Sequence, residues 1–144
     1  MKFKLDGVAG ASSELNDALK KIDKLRRKIV ASAVESIALD AKRSIATHQS
    51  KGKTYKKENP NRIHTASLPG FAPNQDTGEL GRSIITSIYN NYEHADVGVP
   101  EGEMGERAVK LEYGTPQVLP RPFMQPAVNK HKVKFVEEIE ALEI

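Results

Sequence analysis

Residues 14–47 read ELNDALKKIDKLRRKIVASAVESIALDAKRSIAT and contain neither proline nor glycine. Apolar residues recur through this stretch at intervals of three and four, which is the spacing of one face of an α-helix. The members of that face are Leu15, Ala18, Leu19, Ile22, Leu25, Ile29, Ala33, Ile37, Ala41 and Ile45. Ser12 and Ser13 are suitable N-caps for such a helix. The pattern predicts one amphipathic helix over residues 12–47, about 50 Å long, with a break near Ala31–Ser32 as the alternative.

The chain has 144 residues, which is long enough for a single domain with a core of its own. Because 38% of the residues are hydrophobic and 28% are charged, we expect a small core and a large wetted surface. The absence of cysteine excludes a disulfide scaffold, a cysteine-ligated metal and a thiol nucleophile. No apolar run approaches the ~18 residues of a membrane span. The opening MKFKLDGVAG lacks the apolar stretch of a leader peptide, so we expect a soluble protein of the cytoplasm.

The middle of the chain contains a segment without apolar periodicity, followed by two segments with alternating side chains. Residues 48–77 are rich in Gly, Pro, Asn and Lys and have no apolar periodicity, which predicts a long basic loop that is mobile over 49–62 unless a neighbour orders it. Alternating side chains over 82–89 and over 94–99 then predict two strands joined by a turn at Asn90-Asn91. We expect an antiparallel hairpin whose second strand directs three side chains to the core, namely Ala95, Val97 and Val99.

The last third predicts a helix preceded by prolines. Residues 100–105 form an acidic loop, and residues 107–113 fit either a short helix that ends at Gly114 or a strand. A C-terminal helix is expected over 122–142, with Pro126 in its first turn. Its inner face would consist of Met124, Val128, Phe135, Ile139 and Leu142. Its tail is acidic, which is unfavourable at a helix C-terminus unless a basic neighbour is present; the acidic residues are Glu137, Glu138, Glu140 and Glu143.

These elements predict an α+β fold. A long N-terminal helix and a C-terminal helix pack on a small antiparallel β-sheet, with long loops between them. We expect one domain, in which the sheet region occupies residues 78–121.

Charge divides the chain into two halves of opposite sign. Residues 1–72 contain 15 Lys and Arg against 7 Asp and Glu, whereas residues 73–144 contain 7 against 12. Such a division favours a subunit that docks its basic part on the acidic part of a neighbour, although solvated loops are the simpler alternative. The candidate contact residues are Lys51, Lys53, Lys56, Lys57, Arg62, Glu101, Glu103 and Glu106. A second alternative is a nucleic-acid-binding accessory protein that uses residues 42–62, although Tyr55 is the one aromatic residue there.

Signatures of catalysis are absent or weak. The sequence contains no phosphate-binding glycine loop, no H-E-x-x-H and no G-x-S-x-G. The four histidines share no metal-ligand spacing, and we assign no catalytic residue, cofactor or metal ligand. A hydrolytic site built from His48 and His64 near Asp76 is the remaining enzymatic alternative.

Two segments resemble a known family. They read HTASLPGFAPNQDTGELGRSI at 64–84 and KLEYGTPQVLPRPFMQPA at 110–127. Together they resemble the small tail-component proteins of long-tailed bacteriophages, known as tail-completion or neck proteins. That family has a motif close to S-x-P-G-x-x-P-x-x-D-T-G-x-L-x-x-S-I, followed by E-[FY]-G-T and P-F-x-x-P-A. The first motif is matched by Ser67, Pro69, Gly70, Pro73, Asp76, Thr77, Gly78, Leu80, Ser83 and Ile84. The second is matched by Glu112, Tyr113, Gly114, Thr115, Pro122, Phe123, Pro126 and Ala127.

The resemblance implies a structural role in virion assembly. Family members are thought to form a ring of six subunits between the capsid connector and the tail tube, where they complete the tail or join it to the head. The implied partners are other copies of the chain and the neighbouring head-connector and tail proteins, with weak DNA contact at most. The implied location is the head–tail junction of the virion, and the host cytoplasm during assembly. A ring is a heterologous assembly, which fits the division of charge.

The motif residues also have a physical interpretation. Gly78 and Gly114 can adopt positive φ at turns, and Asp76 and Thr77 can cap such a turn with side-chain oxygens. The prolines stiffen the approach to the last helix, which Phe123 anchors by packing.

Overall fold

A 39-residue helix, α1 (Val8–Ala46), is the longest element of the computed structural model, which describes residues 8–142. The helix begins four residues before the predicted Ser12, so Ser12 and Ser13 lie inside it and do not cap it. It continues through Ala31–Ser32 without a break. The opening residues 1–7 and the acidic Glu143 lie outside the described range.

The expected α+β arrangement is confirmed. After α1 come strands β1 (Thr54–Glu58) and β2 (Asn61–Thr65), helix α2 (Glu79–Ser83), strands β3 (Ile85–Tyr89) and β4 (His94–Gly98), and helices α3 (Glu103–Tyr113) and α4 (Met124–Glu140). The strands form two antiparallel pairs, β1–β2 and β3–β4. None of the helices in the described part of the chain is both long and apolar enough to cross a membrane.

The predicted loop over 48–77 is wrong for residues 54–65, which form the β1–β2 hairpin. The register pairs Tyr55 with His64 and Lys57 with Arg62, so these four side chains share one face. Lys56 and Ile63 are paired on the other face. The sequence showed no apolar alternation here because the inner face of this hairpin is largely polar. Ion pairs of Lys57 and Arg62 with Asp76 attach the hairpin to the rest of the chain.

The β3–β4 hairpin is confirmed, but β3 is shorter than predicted. It begins at Ile85, since the preceding residues form α2, and Ile84 between them is buried. Residues 90–92 make a 3₁₀ turn with positive φ at Asn90 and Asn91, which confirms the predicted turn. The side chains of Val97 and Val99 pack against the core, as expected.

Residues 107–113 are helical, so the helix alternative is correct and the strand alternative is wrong. The same helix, α3, begins at Glu103 and therefore includes part of the predicted acidic loop over 100–105. It ends at Gly114, as expected for that alternative. Helix α4 begins at Met124 and runs antiparallel to the C-terminal half of α1, where His131 Nε2 lies 2.7 Å from Oδ2 of Asp40.

The core lies where α1, α3 and α4 meet the motif segments. Many of its members are alanines, which let the backbones approach closely, and Phe123 is the largest of the fully buried side chains. The buried cluster consists of Ala38, Ala41, Ile45, Ala72, Ile84, Ala108, Phe123 and Ala127.

Candidate functional site

Asp76 of the first motif is the centre of an ion cluster. Its side chain is 9% exposed and faces the inner side of the β1–β2 hairpin. Arg62 donates from Nε to Oδ1 at 2.6 Å and from Nη2 to Oδ2 at 2.8 Å, while Lys57 Nζ donates to Oδ2. The Nδ1 atom of His64 lies 3.7 Å from Oδ1. The cluster therefore fastens the hairpin to the motif loop through bidentate, charge-assisted bonds.

The cluster shifts the protonation of its members. The hydrogen bond from Arg62, reinforced by Lys57, holds the pKa of Asp76 far below its usual range even though burial opposes the shift. Burial lowers the pKa of His64, and the charge of Asp76 only partly offsets this. Asp76 is therefore a carboxylate and His64 an uncharged imidazole at neutral pH. A carboxylate with such a low pKa is a weak base.

Asp76 does not cap its own turn, contrary to the expectation from the sequence. Thr77 alone provides a cap-like contact, in which Oγ1 accepts from the N–H of Glu79 at 3.5 Å. Gly78 has a φ of 80°, and a Cβ there would lie 2.8 Å from Nη1 of Arg82. The turn starts α2 and directs Ile84 into the core.

Glu112 of the second motif caps a helix that is distant in sequence. It is 8% exposed. Its two oxygens accept hydrogen bonds from the backbone N–H groups of Phe123 (2.8 Å), Met124 (3.0 Å) and Gln125 (2.8 Å). The next residue, Pro126, has no N–H. All four positions at the start of α4 are thereby accounted for without a cap from Phe123 itself.

The segment between Glu112 and α4 is a tight turn that Gly114 permits. Gly114 has a φ of 78°, and a Cβ there would lie 2.7 Å from the carbonyl oxygen of Val118. Thr115 and Val118 exchange backbone hydrogen bonds across the turn. Arg121 then connects the two motifs, since its Nε donates to the carbonyl of Ser67 at 3.2 Å.

A groove of about 490 Å³ separates the hairpin from this turn. Both motifs line it, together with exposed apolar side chains from the hairpin and the turn. Tyr55 is 45% exposed, Val118 41% and Leu119 64%. Polar side chains such as Gln75, Arg107 and Gln117 also line the groove, so its walls are of mixed polar and apolar character.

The structure divides the candidate contact residues into two groups. Lys57 and Arg62 are engaged by Asp76 of the same chain, whereas Lys51, Lys53 and Lys56 are exposed. Lys53 Nζ lies 5.4 Å from the ring centroid of Tyr55. Three acidic residues just before α3 or in its first turn are also exposed, namely Glu101, Glu103 and Glu106.

Other motif residues lie at the surface or in the core. Tyr113 is 72% exposed, Leu80 packs against the core and Phe123 is 1% exposed. Within residues 8–142, no group of three or more His, Asp or Glu side chains is arranged to hold a metal ion. The structure does bring His64 beside Asp76, but Lys57 and Arg62 take the hydrogen-bonding positions of that carboxylate.

The sequence did not reveal the partners of Asp76 and Glu112. The pairing of Asp76 with Arg62 has a local signal, since the run TYKKENPNRIHT has a turn sequence at Asn59–Asn61 between two polar strands. The capping of α4 by Glu112 has none, because it depends on how α3 and α4 cross. Comparisons with protein families, curated proteins and solved structures found no match to this chain.

Proposed function

We propose that this chain is a structural virion-assembly protein of a tailed phage or prophage. In this proposal it is a ring subunit that completes the tail or joins head and tail at their junction, after assembly in the host cytoplasm. Its partners are other copies of itself and the neighbouring head-connector and tail proteins. The two motifs that resemble the tail-completion proteins carry the proposal.

The roles of the motif carboxylates support an architectural function. Asp76 fastens a hairpin and Glu112 fastens a helix, so both acidic residues bind groups of their own chain. Each motif carboxylate thus helps to build the scaffold. The use of both motif carboxylates for contacts within the chain is the observation that best supports a structural subunit of a larger assembly.

The exposed surface supports an assembling subunit. Ile63 is 77% exposed and lies in the basic half of the chain, residues 1–72. Tyr113 is 72% exposed and lies in the acidic half, residues 73–144. Ile63 lies on the hairpin face that also carries Lys56, and Tyr113 lies on α3, which begins with acidic residues. The face that carries Lys56 and Ile63 on one subunit can meet the exposed acidic residues at the start of α3 on the next, as a ring requires.

Deletion of the gene tests the proposal. We expect a phage or prophage that lacks the gene to produce full heads and separate tails, and plasmid-borne wild-type protein to restore joined virions. Negative-stain electron microscopy of lysates provides the measurement. A variant with Lys51→Glu, Lys53→Glu and Lys56→Glu should fail to restore joining, while Lys132→Glu on α4 is the matched control. Joined, infectious virions in the absence of the gene would contradict the proposal.

Nucleic-acid binding is the second candidate, because Lys51, Lys53 and Lys56 are exposed on and beside the β1–β2 hairpin. It predicts tight DNA binding that falls steeply with salt and is lost when Lys53 and Lys56 are replaced by glutamate. Lys57 is left unchanged in this test because it binds Asp76. The assembly proposal instead predicts weak and unspecific binding that these substitutions hardly change.

A further inference from the structure

The β1–β2 hairpin and the residues beside it contribute almost nothing to the core. Within residues 50–68, which we call the strap, Ser67 is the one buried residue, and it is polar. The large apolar side chains of the strap are exposed, Tyr55 at 45%, Ile63 at 77% and Leu68 at 45%. Burial of apolar side chains, the main stabilising term in folding, therefore does little to hold the strap in place.

The two legs of the strap are bonded to each other along their whole length. Oγ of Ser50 accepts a hydrogen bond from the N–H of Leu68 at 2.9 Å. The N–H of Gly52 donates to the carbonyl oxygen of Ala66 at 2.7 Å. Above these contacts β1 and β2 pair over all five residues of each strand. The strap can therefore change its position as one piece without losing the bonds within it.

Polar side chains attach the strap to the rest of the described chain. Asp76 binds the hairpin through the ion cluster described above. Asn74 donates from Nδ2 to the carbonyl oxygens of Ser50, at 2.7 Å, and Thr65, at 3.0 Å. Arg121 makes the third contact, in which Nε donates to a strap carbonyl at 3.2 Å. Beyond the turn that directly follows the strap, these three side chains make all of its hydrogen bonds to residues 8–142.

The closed position leaves two buried polar atoms unpaired at the base of the strap. Oγ of Ser67 and Oδ1 of Asn74 have no hydrogen-bond partner within the described residues. Both residues line the groove between the hairpin and the turn that follows α3. A buried polar atom without a partner costs free energy, and contact with water removes this cost. Charge therefore holds the strap closed, while the unpaired atoms at its base favour opening.

The opposite wall of the groove is fixed by backbone hydrogen bonds. Thr115 and Val118 bond each other across their turn, and the N–H of Arg121 donates to the carbonyl oxygen of Leu111 in α3 at 2.6 Å. One wall of the groove is thus tied to a helix that packs on the core, whereas the other wall, the strap, is tied by polar side chains alone.

We propose that the strap opens and closes over this groove as one unit while the helices remain folded, and that Asp76 is the contact that holds it closed. The hinges are the exposed residues 48–49 and 69–70, through which the chain enters and leaves the strap outside any helix or strand. Segments with few buried apolar contacts open at a lower free energy than the whole fold.

Opening changes the charge that the chain presents. The five basic candidate contact residues all lie on the strap, namely Lys51, Lys53, Lys56, Lys57 and Arg62. In the closed position two of them are paired with Asp76, and in the open position none is. Asp76 is thus an internal competitor for any acidic group that binds this surface. The strap depends only on contacts within the chain, so it does not rest on the proposed function.

The reactivity of a single thiol tests the opening, because the chain has no cysteine of its own. Ser67→Cys places the thiol at the base of the strap, where the wild-type residue is 2% exposed and its Oγ makes no hydrogen bond that the change could remove. Ala41→Cys is the matched control, since Ala41 is 0% exposed in the core. We expect the uncharged reagent iodoacetamide to modify Ser67→Cys at least a hundredfold faster than Ala41→Cys, because the core opens only when the whole chain unfolds.

Two further substitutions separate opening of the strap from unfolding of the chain. Glu112→Gln removes the cap of α4 and no strap contact, so it should speed the modification of Ala41→Cys at least tenfold and leave that of Ser67→Cys unchanged. Asp76→Asn should speed the modification of Ser67→Cys at least tenfold, whereas exposed Asp96→Asn should not. Equal acceleration at both thiols by Glu112→Gln would overturn independent opening. An unchanged Ser67→Cys rate with Asp76→Asn would overturn the role of Asp76.

Hydrogen exchange of the unsubstituted chain gives a measurement that no variant can disturb. The amides of β1 and β2 should exchange at one common rate, at least a hundredfold faster than those of residues 34–45 of α1, and this rate should change little in low urea because opening exposes little surface. Strap amides that exchange as slowly as those of α1, with the same urea dependence, would show that the strap opens only with the whole fold and would overturn the proposal.

Discussion

Replacement of Glu112 by glutamine removes the cap of α4 while keeping the size of the side chain. In the folded chain the two carboxylate oxygens accept three backbone hydrogen bonds, from residues 123, 124 and 125. A glutamine amide offers one acceptor oxygen and an NH₂ donor. At least one buried N–H therefore loses its acceptor and faces another donor.

The magnitude follows from these contacts. A hydrogen bond to a charged group contributes about 1.5–3 kcal/mol, and negative charge at a helix N-terminus contributes about 0.3–1 kcal/mol. We expect Glu112→Gln to lower the free energy of unfolding by about 2–4 kcal/mol. With an unfolding entropy of about 2.1 cal/mol/K per residue, the Tm falls by about 7–13 °C.

Thermal and urea unfolding followed by circular dichroism provide the assay. Glu106→Gln is the matched control, since Glu106 is exposed on the same helix and lies 3.9 Å from Lys110 in a solvent-exposed pair. Such a pair contributes less than about 0.5 kcal/mol. If Glu112→Gln and Glu106→Gln unfolded alike, the capping of α4 by Glu112 would be refuted.

Four other predictions concern the Asp76 cluster, self-association and the two histidines. Asp76→Asn should lower the free energy of unfolding at pH 7 by about 2 kcal/mol and speed tryptic cleavage in the hairpin, whereas exposed Asp96→Asn should do neither. Because the pKa of Asp76 is lowered on folding, its stabilisation is complete above about pH 4 and is lost as the pH falls further; the difference between wild type and Asp76→Asn in urea titrations should shrink accordingly, and a constant difference down to pH 2 would count against the cluster. Self-association measured by sedimentation should weaken as NaCl rises from 50 to 500 mM, since exposed charges are screened; an oligomer indifferent to salt would argue against charge-guided docking. The double variant His48→Ala, His64→Ala should restore virion joining as well as wild type does, and a loss of joining with the fold intact would favour the hydrolytic alternative.

Periodicity was sufficient to predict the two long helices, α1 and α4, but not α2 or α3. The apolar face of α1 and the prolines before α4 are local signals, and the structure places both helices within a few residues of the prediction. The start of α1 was missed because Ser12 and Ser13 are good caps that the helix does not use. Tertiary context, here the continuation of the helix from Val8, outweighed the local preference.

The candidate site was harder to predict because its contacts are long-range and polar. Asp76 was identified by its place in the motif, but its partners Lys57 and Arg62 lie 19 and 14 residues away, in a segment expected to be a loop. A hairpin fixed by charge lacks the apolar alternation by which strands are recognised. Glu112 was likewise identified as a motif residue, yet its cap on α4 becomes visible only when α3 and α4 are in place.

The proposed virion role can be tested by electron cryomicroscopy of phage particles from the host that carries the gene. We expect density for this fold, repeated as a ring, between the capsid connector and the tail tube. Purified virions that lack the chain, or that carry it in the capsid shell or along the tail tube, would contradict the proposed role.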